Sequence, residues 1–552
     1  MSAAEPVRVG VVLVHGVGEQ RRFDHLSGEV KSLVAALCAM PNVRVSVETR
    51  NSQDSEVGAA NETWRADGSA PVKIHVAYGL PERKVCLCVH EVWWADLDDK
   101  ETLWNRLKFW FWGLGFWGVK KFSQATLQGA QLDMTPPQFP EFSWGGNLMR
   151  ELVVRLRLFA FANVFVLSAL TVNLSNYVLR QLRLGQLPGV EVFYQFVGDV
   201  KLYQDRARPH LGPLASLGEP RRVAIRRRMV QVLVDAYRAD YDRWYVLAHS
   251  LGSVVAWNGL METGHALPNY LSRESYAALK LANDPVIGPR TDGVKRSTAG
   301  MRPARPVWIA DDDEVIHRDV LFKRLRGLVT YGSPLDKFAY LWSQIVNINN
   351  DASPWHTANG HRTAPFEWVN VYEHSDPVSS SLGAYSGPKI PAGSPAPVNL
   401  AYKASPALLL SHLKYLRFRS SPPAPQADLF VSRLLGWMLA GDAPFPRPDS
   451  KSPRWYRLRH PAVGLLLRAP WWLAGTAVFV LALAYLGVPA ILEVLQWISS
   501  ARVLEEAGVA ASIDRVSAAF ASLSLGERAF GVLLAAAGVV TLAGIARRAL
   551  ER

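Results

Sequence analysis

Cysteine is scarce in this sequence, with Cys38, Cys86 and Cys88 the only three in 552 residues. An odd count in so long a chain argues against a disulfide framework and favours a reducing compartment. The first apolar run is short, follows a mixed acidic and basic start and precedes no cleavage site, so we expect no secretory signal peptide. The sequence also shows no internal repeat.

The sequence predicts neither a metal nor a cofactor. Cys86, Cys88 and His90 alternate along one predicted strand and therefore share a face. Successive residues on one face of a strand lie about 7 Å apart, which is too far for a single strand to chelate one zinc ion. We therefore expect no metal site here, and no other motif indicates a cofactor.

The formal net charge of +13 points to anionic partners. Five of the first nine residues of a helix predicted over residues 220–239 are arginines, and such basic faces suit anionic lipid head groups. Zinc ligands, aromatic platforms and recognition-helix patterns are missing, so we expect no nucleic-acid partner. A basic face that contacts only water is the alternative to lipid binding.

The most informative motif lies at residues 244–253, where an apolar run ends abruptly at Ser250. This pattern predicts a buried strand, a sharp turn at the serine and a following helix. The strand and the helix pass close together at such a turn, so the residues two before and two after the serine must be small. Ala248 and Gly252 occupy these positions. A serine that only caps the helix is the alternative.

Other strands are predicted before and after this motif. Residues 9–14 are continuously apolar, as expected of a strand buried on both faces of a parallel sheet, and His15-Gly16-Val17-Gly18 follows them. Residues 72–77, 84–89, 327–331 and 366–373 also predict strands.

Asp376 and His412 are the candidate partners of Ser250. An acid just past a strand end can reach a histidine, and a histidine can remove the proton of a weakly nucleophilic serine hydroxyl. Asp376 could instead only start a turn, and His412 could be an ordinary helix-end histidine. The rival residues are Asp336 and Glu373 for the acid and His374 for the base.

In these motifs the sequence resembles the α/β-hydrolase family. The G-x-S-x-G turn of that family is present with alanine in the first position, and Ser250, Asp376 and His412 follow its chain order. The resemblance implies an α/β fold, with a mostly parallel sheet flanked by helices. It also implies that these three residues are catalytic.

The resemblance further implies an oxyanion hole and an activity. Leu251 and the loop after the first strand would each supply a backbone N–H, with Val17 or alternatively Gly16 as the loop donor. The implied protein is a serine hydrolase that cleaves carboxylic esters, of a lipid or an acylated amphiphile. A thioesterase, acyltransferase or peptidase would use the same triad, and a catalytically inactive membrane scaffold is the alternative class.

Three uncharged runs predict membrane contact: residues 158–179, 469–492 and, at marginal length, 529–546. Arginines lie outside the last two runs, and acidic residues lie between them. This charge distribution predicts that the catalytic domain is cytoplasmic, and the bacterial inner membrane is the expected setting. Residues 158–179 lie between two predicted strands that must belong to one sheet on one side of the membrane. A single membrane crossing by these residues is therefore excluded. They either pair with the tryptophan-rich residues 107–119 or lie in the interface. A buried core helix is the alternative for each run.

The predicted organisation has five parts. The α/β core comprises residues 1–100 and 186–420, interrupted by a membrane-associated helical insertion at 101–185; a Pro-rich linker at 421–468 leads to a C-terminal transmembrane hairpin at 469–552. The expected partners are a lipid or other ester substrate and membrane lipids, including anionic ones. The oligomeric state does not follow from the sequence.

Overall fold

The computed structural model describes residues 5–16, 24–48, 71–94, 203, 221–260, 267–290, 309, 314–341, 346, 366–373, 376, 378–382, 385, 396–404, 411–418, 429–441, 443–448 and 455. The chain divides into two compact units. The first comprises residues 1–100, 124–154 and 191–461, and the second comprises residues 101–123, 155–190 and 462–552. The three predicted membrane runs lie outside the described residues. Within the described ranges, no helix combines the length and apolar character needed to cross a bilayer.

Ten strands are described in the first unit. In chain order they are β1 (Val7–Val14), β2 (Val43–Glu48), β3 (Val72–Tyr78), β4 (Arg83–Val92), β5 (Arg243–His249), β6 (Ile287–Pro289), β7 (Glu314–Ile316), β8 (Leu325–Tyr331), β9 (Glu367–Tyr372) and β10 (Val398–Ala401). Eight of them form one sheet in the order β10-β9-β8-β5-β1-β4-β3-β2, and β6 pairs with β7 in a small separate sheet.

The large sheet is mostly parallel. Neighbouring strands from β10 to β4 run parallel, whereas β3 pairs antiparallel with both β4 and β2. The strands predicted from the apolar runs are present, and β1 is buried from Val9 to Val14, as a continuous apolar run requires. The predicted α/β class with a mostly parallel sheet is therefore confirmed.

Helices cover both faces of this sheet. They are α1 (Asp24–Cys38), α2 (Arg221–Arg238), α3 (Gly252–Leu260), α4 (Arg273–Leu281), α5 (Arg318–Leu321), α6 (Leu335–Leu341) and α7 (Phe430–Ala440). On one face, α1 and α7 share a core with strand residues such as Val329 and Val369. On the other, Trp257 of α3 stacks on Trp368 of β9 with ring centroids 4.7 Å apart. The helix predicted over 220–239 is confirmed as α2.

The structure departs from the sequence prediction at α7, which lies inside the range predicted as a Pro-rich linker. Phe430, Leu434 and Trp437 recur at helical spacing and are buried in the core. Trp437 packs edge-on against the ring of Tyr245, with centroids 4.8 Å apart, and also covers Gly327. Prolines on both sides of the helix gave the segment a linker-like composition, although its middle is part of the folded core.

Candidate active site

Ser250 lies on the turn between β5 and α3 and has a left-handed backbone, with φ of +50°. This conformation is strained for a residue with a side chain and persists only where the surroundings enforce it. The Ser250 N–H donates to the Tyr331 carbonyl at 3.0 Å. Its carbonyl accepts from the N–H of Ser253 at 3.0 Å and from the Ser253 hydroxyl at 2.6 Å. These three hydrogen bonds hold the serine in place.

Two glycines allow the backbone to approach this turn. A Cβ at Gly252 would lie 2.5 Å from the carbonyl oxygen of Val14 and closer still to that of His15. A Cβ at Gly16 would lie 2.6 Å from the Cβ of Ser250. The sequence argument for a small residue at Gly252 is therefore confirmed, because the end of β1 passes directly against the start of α3.

Replacing Gly252 with alanine is expected to lower the free energy of unfolding by about 3 kcal/mol, at the upper end of overpacking costs, since the clash is with backbone. The measurement is urea denaturation followed by circular dichroism. Gly436→Ala in helix α7 is the matched control, because a Cβ there meets nothing within 4 Å. That control should gain about 0.5–1 kcal/mol from helix propensity. Equal stability of the two variants would contradict the close approach at Gly252.

His412 connects the candidate nucleophile to the candidate acid. Its Nε2 lies 2.8 Å from the Ser250 Oγ, and its Nδ1 lies 2.9 Å from the Asp376 Oδ2. All three residues are buried, with exposures of 0% for Ser250 and Asp376 and 2% for His412. A carboxylate only accepts hydrogen bonds, so the His412 proton is assigned to Nδ1. Nε2 is then the acceptor for the serine hydroxyl, which is the tautomer needed to activate a serine.

Asp376 is held in its charged form. Burial by itself raises the pKa of this carboxyl, but the charge and hydrogen bond of His412 outweigh burial and hold the pKa well below its usual range. The backbone N–H of Val378 donates to Oδ1 at 2.8 Å, and the Tyr415 hydroxyl donates to Oδ2 at 2.8 Å. These contacts orient the carboxylate towards His412.

The rival acids have other partners. Asp336 accepts a hydrogen bond from the Ser380 hydroxyl and lies 3.6 Å from the ammonium of Lys337. The Glu373 carboxylate accepts from the backbone N–H of Ala404 at 2.9 Å. The rival base, His374, lies outside the described residues. The structure thus brings Asp376, not either rival acid, to the Nδ1 of His412.

The candidate oxyanion donors are described in part. Within the described ranges, the backbone hydrogen bonds of the turn use the N–H groups of Ser250, Ser253 and Val254, and none uses that of Leu251. Gly16 lies directly beside Ser250, as its close contact with the serine Cβ shows. Val17 lies outside the described residues. Its role as the loop donor stays a prediction.

His15 fixes the orientation of the loop backbone at Gly16. Its Nε2 accepts from the backbone N–H of Trp94 at 3.1 Å, so its proton is assigned to Nδ1, which donates to the Gly16 carbonyl at 2.7 Å. The His15 ring also stacks on the Trp94 indole, with centroids 4.9 Å apart. Sequence reasoning assigned this histidine no role beyond its place in the H-G-x-G pattern.

His249 is a second residue that sequence reasoning missed. Its Nε2 donates to the backbone carbonyl of His412 at 2.8 Å, and its ring stacks on Tyr331 with centroids 5.0 Å apart. Burial, helped by the neighbouring His412, lowers the pKa of His249 to about 3, so its imidazole is neutral. His249 therefore ties the strand that bears the nucleophile to the segment that bears the base. Its position directly before Ser250 was the available signal.

Glu29 in α1 is half-buried, and the Oε2 atom of its carboxyl is covered and has no hydrogen-bond partner among the described residues. Burial raises its pKa to about 8 from a reference of 4.5. Between these values the folded protein binds a proton that the unfolded chain has released, so stability falls as the pH rises from about 4.5 to 8. Burial raises the pKa of the Tyr331 phenol, and the nearby Glu29 carboxyl adds to this rise.

Replacing Glu29 with glutamine, an isostere of its protonated form, should remove this fall in stability. At pH 9 the variant should be more stable than the wild type by roughly 1–3 kcal/mol, because no charge has to be buried. Urea denaturation at pH 6 and pH 9 measures the effect. Glu5→Gln, at an exposed position, is the control and should leave the pH dependence unchanged. A wild-type stability that is flat over this range would contradict the prediction.

Comparisons of this chain with protein-family models, with curated proteins and with solved structures each found no match. No group of three or more potential metal ligands occurs among the described residues.

Proposed function

We propose that this protein is a serine hydrolase of the α/β-hydrolase type that cleaves carboxylic esters, with Ser250 as nucleophile. The observation that supports this proposal is the hydrogen-bonded chain from the Ser250 hydroxyl through His412 to Asp376, with links of 2.8 and 2.9 Å. A hydroxyl, an imidazole in the correct tautomer and a buried carboxylate in this order are what nucleophilic activation of serine requires.

The strand order supports the same proposal. In the sheet, β1 and β5 are parallel neighbours, with Val14 paired to Ala248, so the loop at Gly16 and the turn at Ser250 leave the same edge. Next along the sheet come β8 and then β9, and Asp376 follows the end of β9. Open parallel sheets bind ligands at the carboxyl ends of their strands, where the loops converge.

The proposed reaction has two stages. The Ser250 Oγ attacks the ester carbonyl carbon while His412 Nε2 takes the hydroxyl proton, and Asp376 stabilises the imidazolium. Backbone N–H groups at Leu251 and at the Gly16–Val17 loop stabilise the tetrahedral oxyanion. The intermediate then collapses, and the leaving alcohol takes the proton from His412. A water molecule, deprotonated by His412, attacks the acyl-enzyme and releases the acid and the free serine.

The substrate class and the location belong to the same proposal. The apolar runs at residues 158–179, 469–492 and 529–546 favour a membrane-anchored enzyme with a cytoplasmic catalytic domain, acting on a lipid or an acylated amphiphile. The contacts that orient Asp376 and fix the tautomer of His412 speak against an inactive scaffold, because a scaffold has no need of them. A thioester or amide substrate would use the same residues.

The test is covalent labelling of the full chain, solubilised in detergent, with a fluorophosphonate probe that reacts with activated serines. The wild type should be labelled and the Ser250→Ala variant should not. Ser432→Ala, at a buried serine in α7, is the matched control and should be labelled like the wild type. A folded wild-type protein that is not labelled would overturn the proposal, as would a Ser250→Ala variant that is labelled normally.

A further inference from the structure

Cys86 and Cys88 lie on one face of the interior strand β4, and their Sγ atoms are 3.6 Å apart. Strand geometry gives about 7 Å between successive residues on one face. The sulfur atoms are closer than this, because the two side chains lean towards each other along the strand. The two thiols are in contact.

The surroundings of the pair favour a thiolate at Cys88. The hydrogen bond with Cys86, a further one from Tyr241 and the nearby charges of Arg8 and Lys73 outweigh burial, and lower the pKa of the Cys88 thiol to about 7. The hydrogen bond with Cys88 and burial together raise the pKa of the Cys86 thiol. One thiol of the pair is thus available as a thiolate at neutral pH while the other keeps its proton.

The phenol that assists Cys88 is positioned by a glycine. A Cβ at Gly10 in β1 would lie 2.7 Å from Cε2 of Tyr241, so only glycine lets this ring lie across the strand. The Tyr241 hydroxyl also lies 2.7 Å from Nε2 of His90, two residues along β4 from Cys88. Tyr241, Cys88 and Cys86 therefore form a connected polar group inside an otherwise apolar sheet.

The pair lies beside solvent although its own atoms are covered. Cys86 and Cys88 are 5% and 2% exposed. Their cross-strand partners on β3 are His75 and Lys73, whose side chains are 43% and 41% exposed. A small neutral oxidant therefore has only a short distance to travel from the surface to the sulfur atoms.

We propose that Cys86 and Cys88 form a redox site that hydrogen peroxide converts to an intramolecular disulfide. The Cys88 thiolate attacks one peroxide oxygen, the O–O bond breaks, and a sulfenic acid and hydroxide form. The Cys86 sulfur then attacks the Cys88 sulfur, the S–O bond breaks, and water leaves with the Cys86 proton. The two thiols lose two electrons, and the peroxide is reduced.

The disulfide formed here should be easily reduced. Residues two apart in a strand have Cα and Cβ atoms about 6.4–6.8 Å apart, whereas a disulfide needs Cβ atoms about 3.5–4.5 Å apart, so closing the bond requires β4 to bend locally and leaves the disulfide strained. A strained disulfide has a more oxidising potential and is reduced readily by a thiol pool. The site would therefore stay reduced in a reducing compartment and respond only to oxidant.

The test uses the full chain treated with hydrogen peroxide, then unfolded in guanidinium chloride, alkylated and digested with trypsin. Both cysteines fall in one peptide, residues 85–100. We expect this peptide to lose the mass of two hydrogens and to escape alkylation, and dithiothreitol should restore both thiols. Cys38, which is exposed and has no disulfide partner, is the internal control. In the Cys86→Ser variant, Cys88 should instead accumulate as a sulfenic acid trapped by dimedone.

Two results would overturn the inference. Either both thiols remain fully alkylatable at peroxide concentrations that oxidise Cys38, or Cys88 proceeds to a sulfinic acid while Cys86 stays free in the wild type. Because the wild-type peptide is decisive alone, the test does not depend on whether the variant folds. It is also independent of Ser250, so failure of the proposed hydrolase activity would leave its outcome unaffected.

Discussion

Replacing His412 with alanine is expected to lower kcat for hydrolysis of a p-nitrophenyl ester by about 10⁵- to 10⁶-fold. Without the imidazole, nothing accepts the proton of the Ser250 hydroxyl, which lies 2.8 Å from Nε2 in the wild type. The loss should match that of Ser250→Ala, and the double variant should be no worse than either single one, because the residues act as a unit. Spectrophotometric initial rates measure all three variants.

The control for this variant is His75→Ala, which removes a half-exposed histidine from β3. Its kcat should stay within about twofold of the wild type, since surface substitutions have small effects. If His412→Ala kept more than a tenth of the wild-type rate while Ser250→Ala lost all activity, another group would be the base. If the free-energy losses of His412→Ala and Ser250→Ala added up in the double variant, a shared mechanism would be contradicted.

Replacing Asp376 with asparagine should lower kcat/KM by about 10⁴-fold at neutral pH. An amide nitrogen facing His412 Nδ1 would donate to it and favour the tautomer with its proton on Nε2, which cannot accept from Ser250. The discriminating control is Asp336→Asn, at the rival acid. A larger loss in Asp336→Asn than in Asp376→Asn would move the acid's role to Asp336.

Asp376→Asn should also change how stability depends on pH. The pKa of the Asp376 carboxyl is lower in the folded protein than its reference of 3.8, so its contribution to stability is complete above about pH 4. That contribution is lost as the pH falls and the carboxylate is protonated. The variant should therefore lose less stability than the wild type between pH 5 and the acid transition, which thermal unfolding at several pH values measures.

Local patterns were enough to predict the centre of this fold. The strands β1 and β5 are buried on both faces, so their apolar runs were continuous and easy to identify. The turn at Ser250 followed from the need for a small residue at Gly252, which the structure bears out. These features depend on neighbours within a few positions, and such neighbours are visible in a sequence.

Contacts between distant segments were harder to predict. The hydrogen bond between Ser250 and His412 joins residues 162 positions apart, and chain order in a resembling family suggested it rather than any local rule. Tyr415 and His249 were missed because their hydrogen bonds, to Asp376 and to the His412 carbonyl, exist only once the segment after β10 packs against the residues after β9 and the end of β5. The contact of Cys86 with Cys88 was missed since strand spacing describes Cα positions and not the lean of side chains.

The place of β1 in the sheet affects how the chain leaves the ribosome. This strand pairs with β4 on one side and β5 on the other, and Arg8 at its start donates a backbone hydrogen bond to Asp242, 234 positions later. At about 5–20 residues per second, synthesis of that stretch takes roughly 10–50 s. During this interval one edge of an apolar strand has no native partner, and such edges invite pairing with other chains. In the nascent chain this edge of β1 therefore stays open until β5 has been made.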